Sequence, residues 1–288
     1  MNSKLALGTV QFGLDYGINN PNGQIAFEDA LDILKIAHEN NIFLLDTATA
    51  YGNSESVLGR ILMKIQESFK VVSKVPAQVK PGEVKNYLAQ SLTNLQQASL
   101  YGYLFHSFDD FKNYPSLWDE FVTVRDQGLA KKVGFSVYYP HQVEFLLDQK
   151  INFNLIQLPY NLFDQRFEYL FPTLKQLNVE IHTRSAFLQG LFFKDITTLT
   201  THFQSIKDKL QCLQTICNQS SIPLAALLLN FVQLQDNIDQ IVIGVDTPQH
   251  LLDNLISVEF LEKTRNLYYQ LKELKEVNEQ IILPFHWK

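Results

Sequence analysis

The sequence predicts an α/β fold, a (β/α)8 barrel formed as one domain over residues 1–288. Three observations predict it. Short apolar runs alternate with longer segments of helical period; eight such runs occur; and the first run leads into Gly8-Thr-Val-Gln-Phe-Gly13 instead of the Gly-x-Gly-x-x-Gly turn expected after the first strand of an open, doubly wound sheet. The chain of 288 residues suits one barrel, which typically takes about 250.

The expected strands are Leu5 to Leu7, Phe43 to Leu45, Val71 to Ser73, Tyr103 to Phe105, Val133 to Ser136, Leu155 to Leu158, Glu180 to Thr183 and Ile241 to Ile243. Between them the spacing predicts helices over 27–39, 55–63, 82–95, 117–127, 140–147, 168–177 and 248–255. In the first, Ala30, Leu31, Leu34 and Ala37 recur at three and four residues and leave Asp29, Asp32, Lys35 and Glu39 opposite. Pro81, Pro140 and Pro248 stand where helices should begin, because the first turn does not use the N–H that proline lacks. No linker or low-complexity tract divides the chain.

Composition narrows the function. A hydrophobic fraction of 46% with 19% charged residues is that of a packed globular protein. A net charge of −6 without a basic stripe argues against nucleic acid as a partner. Met1-Asn-Ser-Lys4 runs into too short an apolar segment for a secretory signal. Ile222 to Leu234 is too short to cross a bilayer. The expectation is a cytoplasmic protein without a membrane partner. Cys212 and Cys217 match neither a zinc spacing nor a disulfide framework and are expected to be buried or half-buried thiols; no metal site is expected.

In such a barrel, chemistry sits at the C-terminal strand ends. Those ends carry Asp46, Lys74 and His106, and Tyr51 follows in the loop 47–53. A tyrosine, a lysine, an acid and a histidine around one opening suit proton transfer to a carbonyl oxygen. Asp46 should pair with and position Lys74. The ammonium should lower the Tyr51 pKa, and His106 should hydrogen-bond the reacting oxygen. Taken singly, a histidine at a strand end or a buried Asp–Lys pair is more often structural; the convergence of four such groups makes the functional reading.

The segment from Phe43 through Asp46, Tyr51 and Gly52 to Gly59, with Lys74 in Val-Val-Ser-Lys-Val and His106 in Tyr-Leu-Phe-His-Ser, resembles the signature of the aldo/keto reductase family around its catalytic aspartate, tyrosine, lysine and histidine. The similarity continues through Gly8-Thr9, Val133 to Val137, Ile156 to Asn161, Arg184 to Leu191 and Gly244 to Asn254. It implies an NAD(P)-dependent oxidoreductase that reduces an aldehyde or ketone, with NADPH as cofactor and NADH also open. By resemblance, Ser136 and Gln157 would hold the nicotinamide carboxamide. Ser185, Leu188 and Gly190 would lie beside the ribose and diphosphate, and Asp253 and Asn254 would face the adenine. Gly8, Thr9, Arg184, Gly244 and His250 complete the expected cofactor site.

Four departures qualify the resemblance. Val137 stands where the family commonly has Asn, and Arg184 where an aromatic ring commonly stacks on the nicotinamide. A guanidinium can stack too, but its charge should disfavour the oxidised ring. Gly244, Val245 and His250, with Asp246 nearby, occupy positions where NADP-dependent members carry basic residues. The N-terminal hairpin that plugs the barrel bottom in many relatives is expected to be missing, and Leu5 and Leu7 are expected to close that end.

Substrate walls are expected from the loops after the strands, including Ser107 to Trp118 and Phe187 to Phe203, and from the tail Leu283 to Lys288. Phe108, Phe111, Trp118, Phe192, Phe193 and Trp287 are stacking candidates, and Asp109 and Asp110 are candidates to bond hydroxyls. The expected partner is a small carbonyl compound, sugar-derived or aliphatic. A nicotinamide-binding redox sensor with little turnover, and an unrelated barrel lyase or isomerase, are the alternative readings. No pattern identifies a subunit interface.

Overall fold

The strand-helix rhythm is realised as a closed barrel of eight parallel strands in sequence order, with the last hydrogen-bonded to the first. The computed structural model describes residues 4–17 and 23–287. Met1 to Ser3 of the N-terminal reading and Lys288 of the tail lie outside them. The strands are β1 Leu5–Gly8, β2 Leu44–Asp46, β3 Lys70–Val75, β4 Leu100–Phe105, β5 Ala130–Ser136, β6 Leu155–Pro159, β7 Glu180–Arg184 and β8 Gln240–Gly244.

Around them run α1 Phe27–Glu39, α2 Ser54–Ile65, α3 Val84–Leu95, α4 Phe108–Asn113, α5 Leu117–Asp126, α6 Pro140–Asp148, α7 Phe171–Gln176, α8 Lys207–Ser220, α9 Leu224–Gln233, α10 Pro248–Leu255, α11 Leu261–Lys272 and α12 Glu279–Ile282. Pro140 and Pro248 open α6 and α10 as expected. Pro81 does not open α3: Gly82 turns the chain at φ +89° and the helix starts at Val84. The run 168–177 divides into a 3-10 turn, Glu168–Leu170, and α7. In helix α9 every residue from Ala226 to Val232 is buried. No single helix among the described residues is long and apolar enough to cross a membrane. Cys212 is exposed, against expectation; Cys217 is half-buried, and burial pushes its thiol up to about 11.

Side chains alternate across a strand with period two, and this sorts the barrel into two cores. Leu5 and Leu7, with Leu45, Val71, Tyr103 and Phe105, face the helices. Ala6, Leu44, Val72, Leu104, Leu155 and Val242 form a separate interior cluster. The expectation that Leu5 and Leu7 close the barrel bottom is therefore corrected: they pack outward, and Ala6 turns in. At the N-terminal strand ends the interior cluster is instead covered by Tyr101. Its hydroxyl donates to Glu180 at 2.7 Å, and Lys70 and Lys132 stand 5.0 and 5.5 Å from its ring centroid. Glu180 also meets Lys132 and His182.

Burial alone would raise the Glu180 carboxyl; His182, Lys132 and Tyr101 outweigh it and hold the group well below the usual carboxylate range. A depressed folded pKa contributes stability above the unfolded value, about 4.3 for Glu, and that stability is lost as pH falls below it. Urea midpoints at pH 6 and pH 3 should therefore drop more in the wild type than in Glu180→Gln; equal drops would contradict this role.

Candidate active site

The same period-two alternation that makes the interior cluster builds the site one layer higher. Two residues beyond Ala6, Leu44, Val72, Leu104, Leu155 and Val242 come Gly8, Asp46, Lys74, His106, Gln157 and Gly244. Two beyond Gly134 and His182 come Ser136 and Arg184. The inner face thus delivers eight of the sequence-designated positions to one rim. Above it opens a cavity of about 470 Å³, lined at this end by Asp46, Tyr51, His106, Ser136, Gln157 and Arg184.

At its floor Lys74 Nζ meets Asp46 Oδ2 at 2.7 Å, with the two side chains only 1% and 5% exposed. Such a pair is tolerable in a dry interior only when its other valences are filled. Lys74 Nζ also donates to the Thr47 carbonyl at 2.9 Å, and Gln157 Nε2 donates to Asp46 Oδ1 at 2.7 Å. Burial lowers the Lys74 pKa while Asp46 opposes the shift.

Tyr51 lies with its ring centroid 5.1 Å from Lys74 Nζ and 5.8 Å from the His106 ring. The expected lowering of its pKa is corrected: burial, then the Asp46 charge, raise it well above the ordinary phenol value, and Arg184 opposes only in part. The physical reason is that Asp46 already compensates the Lys74 ammonium. The phenol is accordingly protonated at neutral pH. His106 is pushed down to about 4 by burial, Lys74 and Arg184, and is therefore a neutral imidazole.

The loop carrying Tyr51 is fixed by close packing and hydroxyl bonds. A Cβ on Gly13 would stand 1.8 Å from the Tyr51 carbonyl oxygen, and one on Gly52, at φ +58°, 2.4 Å from the Gly13 oxygen. The Ser54 hydroxyl donates to the Thr9 carbonyl at 2.8 Å and lies within 2.9 and 3.1 Å of the Thr9 and Thr47 hydroxyls. Thr9 in turn donates to the Asp46 carbonyl at 3.0 Å. The sequence assigns Thr9 to the cofactor; the structure also makes it a fully buried brace between β1 and the Tyr51 loop.

Beyond the rim where Gly8 and Gly244 stand, the cavity is lined at its other end by Asp246, His250, Asp253 and Asn254, and Ser185 and Gly190 also line it. Leu188 is the exception among the expected cofactor residues. Its side chain is fully buried in the outer core and does not line the cavity, because the chain there is coiled through left-handed conformations at Ser185, Leu188, Gln189 and Gly190. A bound dinucleotide fits two unusual features. Gln157 Oε1 is buried without a partner, ready to accept from a carboxamide, and Gln11 Oε1 is likewise unpartnered beside Gly244, where a Cβ would collide with the Gln11 amide.

Most of the proposed substrate walls are elsewhere. Phe108, Phe111 and Trp118 are buried in the outer core, the latter two packed on Phe135. Phe192 packs on Phe163, and Trp287 on Phe203. Of the six aromatic candidates Phe193 alone lines the cavity. Asp110 accepts from the Gln78 amide at 2.8 Å and does not reach the cavity lining. The loop 187–203 does contribute, through Phe187, Gln189 and Phe193, and the lining also includes Gln11, Tyr16 and Tyr138, which sequence reasoning missed. Position shortly after a strand end was the signal available for Gln11 and Tyr138. Tyr16 and Gln189 belong to longer loops and meet through a 2.7 Å bond from the Gln189 amide to the Tyr16 hydroxyl.

Comparison with known proteins bears on the family and the fold. The aldo/keto reductase family model matches residues 4–277. An NADH-specific methylglyoxal reductase of Escherichia coli (strain K12) is 23% identical, the match covering 89% of this chain and 90% of the relative. The holo form of an aldo-keto reductase from Bacillus halodurans superimposes with a TM-score of 0.75 at 20% identity, over 96% of this chain and 95% of that one.

Removing one partner of the buried pair leaves an uncompensated charge, at a cost of about 3–5 kcal/mol. Lys74→Met should lower the urea midpoint accordingly, and Asp46→Asn added to it should restore much of the loss. If the double variant is no more stable than Lys74→Met, the pair does not carry this energy.

Proposed function

We propose that this chain, which belongs to the aldo/keto reductase family, is an oxidoreductase that reduces a small aldehyde or ketone at the cavity mouth with NADH, Tyr51 acting as the proton donor. The observation that carries the reading is the meeting of Tyr51 and His106 above the buried Asp46–Lys74 pair, next to the unpartnered Gln157 oxygen.

When bound, the dihydronicotinamide supplies the hydride. Gln157 would accept from its carboxamide through Oε1, and Ser136, paired with Gln157 in register, would offer its hydroxyl. Neutral His106 donates a hydrogen bond to the substrate oxygen and so fixes it beside Tyr51. As negative charge develops on that oxygen, Tyr51 Oη hands over its proton. The Lys74 ammonium, held by Asp46 and the Thr47 carbonyl, stabilises the phenolate that remains. The raised pKa keeps the phenol protonated, the form that reduction requires, and makes it a weak acid whose proton release the Lys74 ammonium must assist.

The choice of NADH over the NADPH that the resemblance implies is supported by the far end of the cavity. Its lining there carries Asp246 and Asp253 with His250, and no Lys or Arg among the described residues, whereas a 2′-phosphate is best gripped by those cations. The methylglyoxal reductase among the relatives is also NADH-specific. Tyr16, Tyr138, Phe187 and Phe193 give the entrance an aromatic wall, suited to a compact carbonyl compound such as methylglyoxal or a short sugar-derived aldehyde.

Fluorescence titration with NADH and NADPH, followed by turnover on an aldehyde panel, tests the reading. NADH should bind tighter, and Tyr51→Phe should keep binding while losing turnover by at least about a hundredfold. Retention of turnover in that variant would remove Tyr51 from its role. Because His106 is pushed down to about 4, its imidazole is neutral throughout pH 5 to 8, so kcat/KM should show no limb near the ordinary histidine value of about 6.5. A limb there that disappears in His106→Gln would overturn the assignment of a neutral imidazole.

A further inference from the structure

Among the charges at the catalytic end of the cavity, Lys74 is matched by Asp46, but Arg184 forms no ion pair with a carboxylate among the described residues. It stands at the end of β7 opposite Pro159 in register, two residues beyond Gln157 on the neighbouring strand. Its guanidinium reaches back across β6 to donate from Nη2 to the Val137 carbonyl at 3.0 Å, and its Cζ lies 4.1 Å from the Tyr138 ring centroid. Val137 directly follows Ser136. The cation is thereby held by the strand segment that would receive the carboxamide, and several of its five N–H groups remain unspent.

A cation fixed there treats the two redox states of a nicotinamide differently. The reduced ring is neutral and can lie against a planar guanidinium; the oxidised ring carries a positive charge that no nearby free carboxylate offsets. We propose that Arg184 makes the site selective for the reduced cofactor, by charge repulsion against the oxidised ring. The inference rests on the nicotinamide-dependent reading above. Arg184 also bears on the charges of Tyr51, Lys74 and His106, which places its field over the whole catalytic end. Two unit charges several ångströms apart at an effective dielectric of about 20 repel strongly enough for a preference of roughly tenfold or more.

The bias has a cost with a defined sign. Tighter binding of the reduced form lowers the equilibrium constant for hydride transfer within the site by the same factor. In return, excess oxidised cofactor competes poorly for the site, and the spent cofactor leaves readily. Arg184 is in this sense a determinant of cofactor redox state, which an aromatic ring at the same place, carrying no charge, would not be.

Dissociation constants for NADH, NAD+ and ADP-ribose, measured on the full chain by calorimetry, test it in wild type, Arg184→Met and Arg184→Lys. Wild type and Arg184→Lys should bind NADH about tenfold or more tighter than NAD+. Arg184→Met should bring the two close together, mainly by tightening NAD+, with ADP-ribose unchanged. An unchanged NADH-to-NAD+ ratio in Arg184→Met, or equal weakening of both forms as expected for a merely packing role, overturns the proposal while leaving the reductase reading intact. Failure of the wild type to bind any of the three overturns both.

Discussion

The buried ion pair between Asp46 and Lys74 is the constraint around which the top of the barrel is organised. Two charges taken out of water must find each other and fill their remaining valences, or the desolvation cost is not recovered. Here the filling is done by parts from several strands: the Thr47 carbonyl just beyond β2, and the Gln157 amide from β6. Gln157 consequently spends its donor on Asp46 and leaves its oxygen unpartnered in the cavity. The acceptor offered to a ligand is thus a by-product of satisfying the ion pair, and the orientation of one depends on the other.

Much of this was legible in the sequence because the barrel obeys a simple alternation. Once Leu44, Val72 and Leu104 are recognised as inward-facing, Asp46, Lys74 and His106 follow two positions later on the same face, at the end where loops open. A period of two and a strand boundary are local properties, and short sequence windows contain them. The registers that bring Ser136 beside Gln157 and Arg184 beside Pro159 depend on the stagger between strands, which no single window contains.

What escaped has equally definite causes. Tyr101 covers the barrel bottom by bonding to Glu180, 79 positions away in sequence, so no local pattern announces it, and Leu5 and Leu7 were plausible only because they are apolar and near the terminus. Phe108, Phe111 and Trp118 belong to loops and short helices whose aromatic rings are drawn into the outer core around Phe135. An aromatic residue in a loop reads the same whether it lines a cavity or fills a core. The sign of the Tyr51 shift was missed for a related reason: a neighbouring ammonium is visible in the sequence, but its compensation by Asp46 and the depth of burial are not.

The cavity that results is electrically uneven along its length. Its catalytic end holds one cation, Arg184, beyond the compensated pair, while its far end carries Asp246 and Asp253. Burial raises the Asp246 carboxyl, which softens but does not reverse that polarity. The backbone between the two ends passes through successive left-handed residues at Leu188, Gln189 and Gly190. Such conformations persist only where the surroundings enforce them. The buried Leu188 side chain supplies that enforcement: anchored in the outer core, it pins the turn while Gln189 and Gly190 remain at the cavity wall. A residue that the resemblance assigns to the cofactor thus serves the site from behind, by holding the loop that faces it.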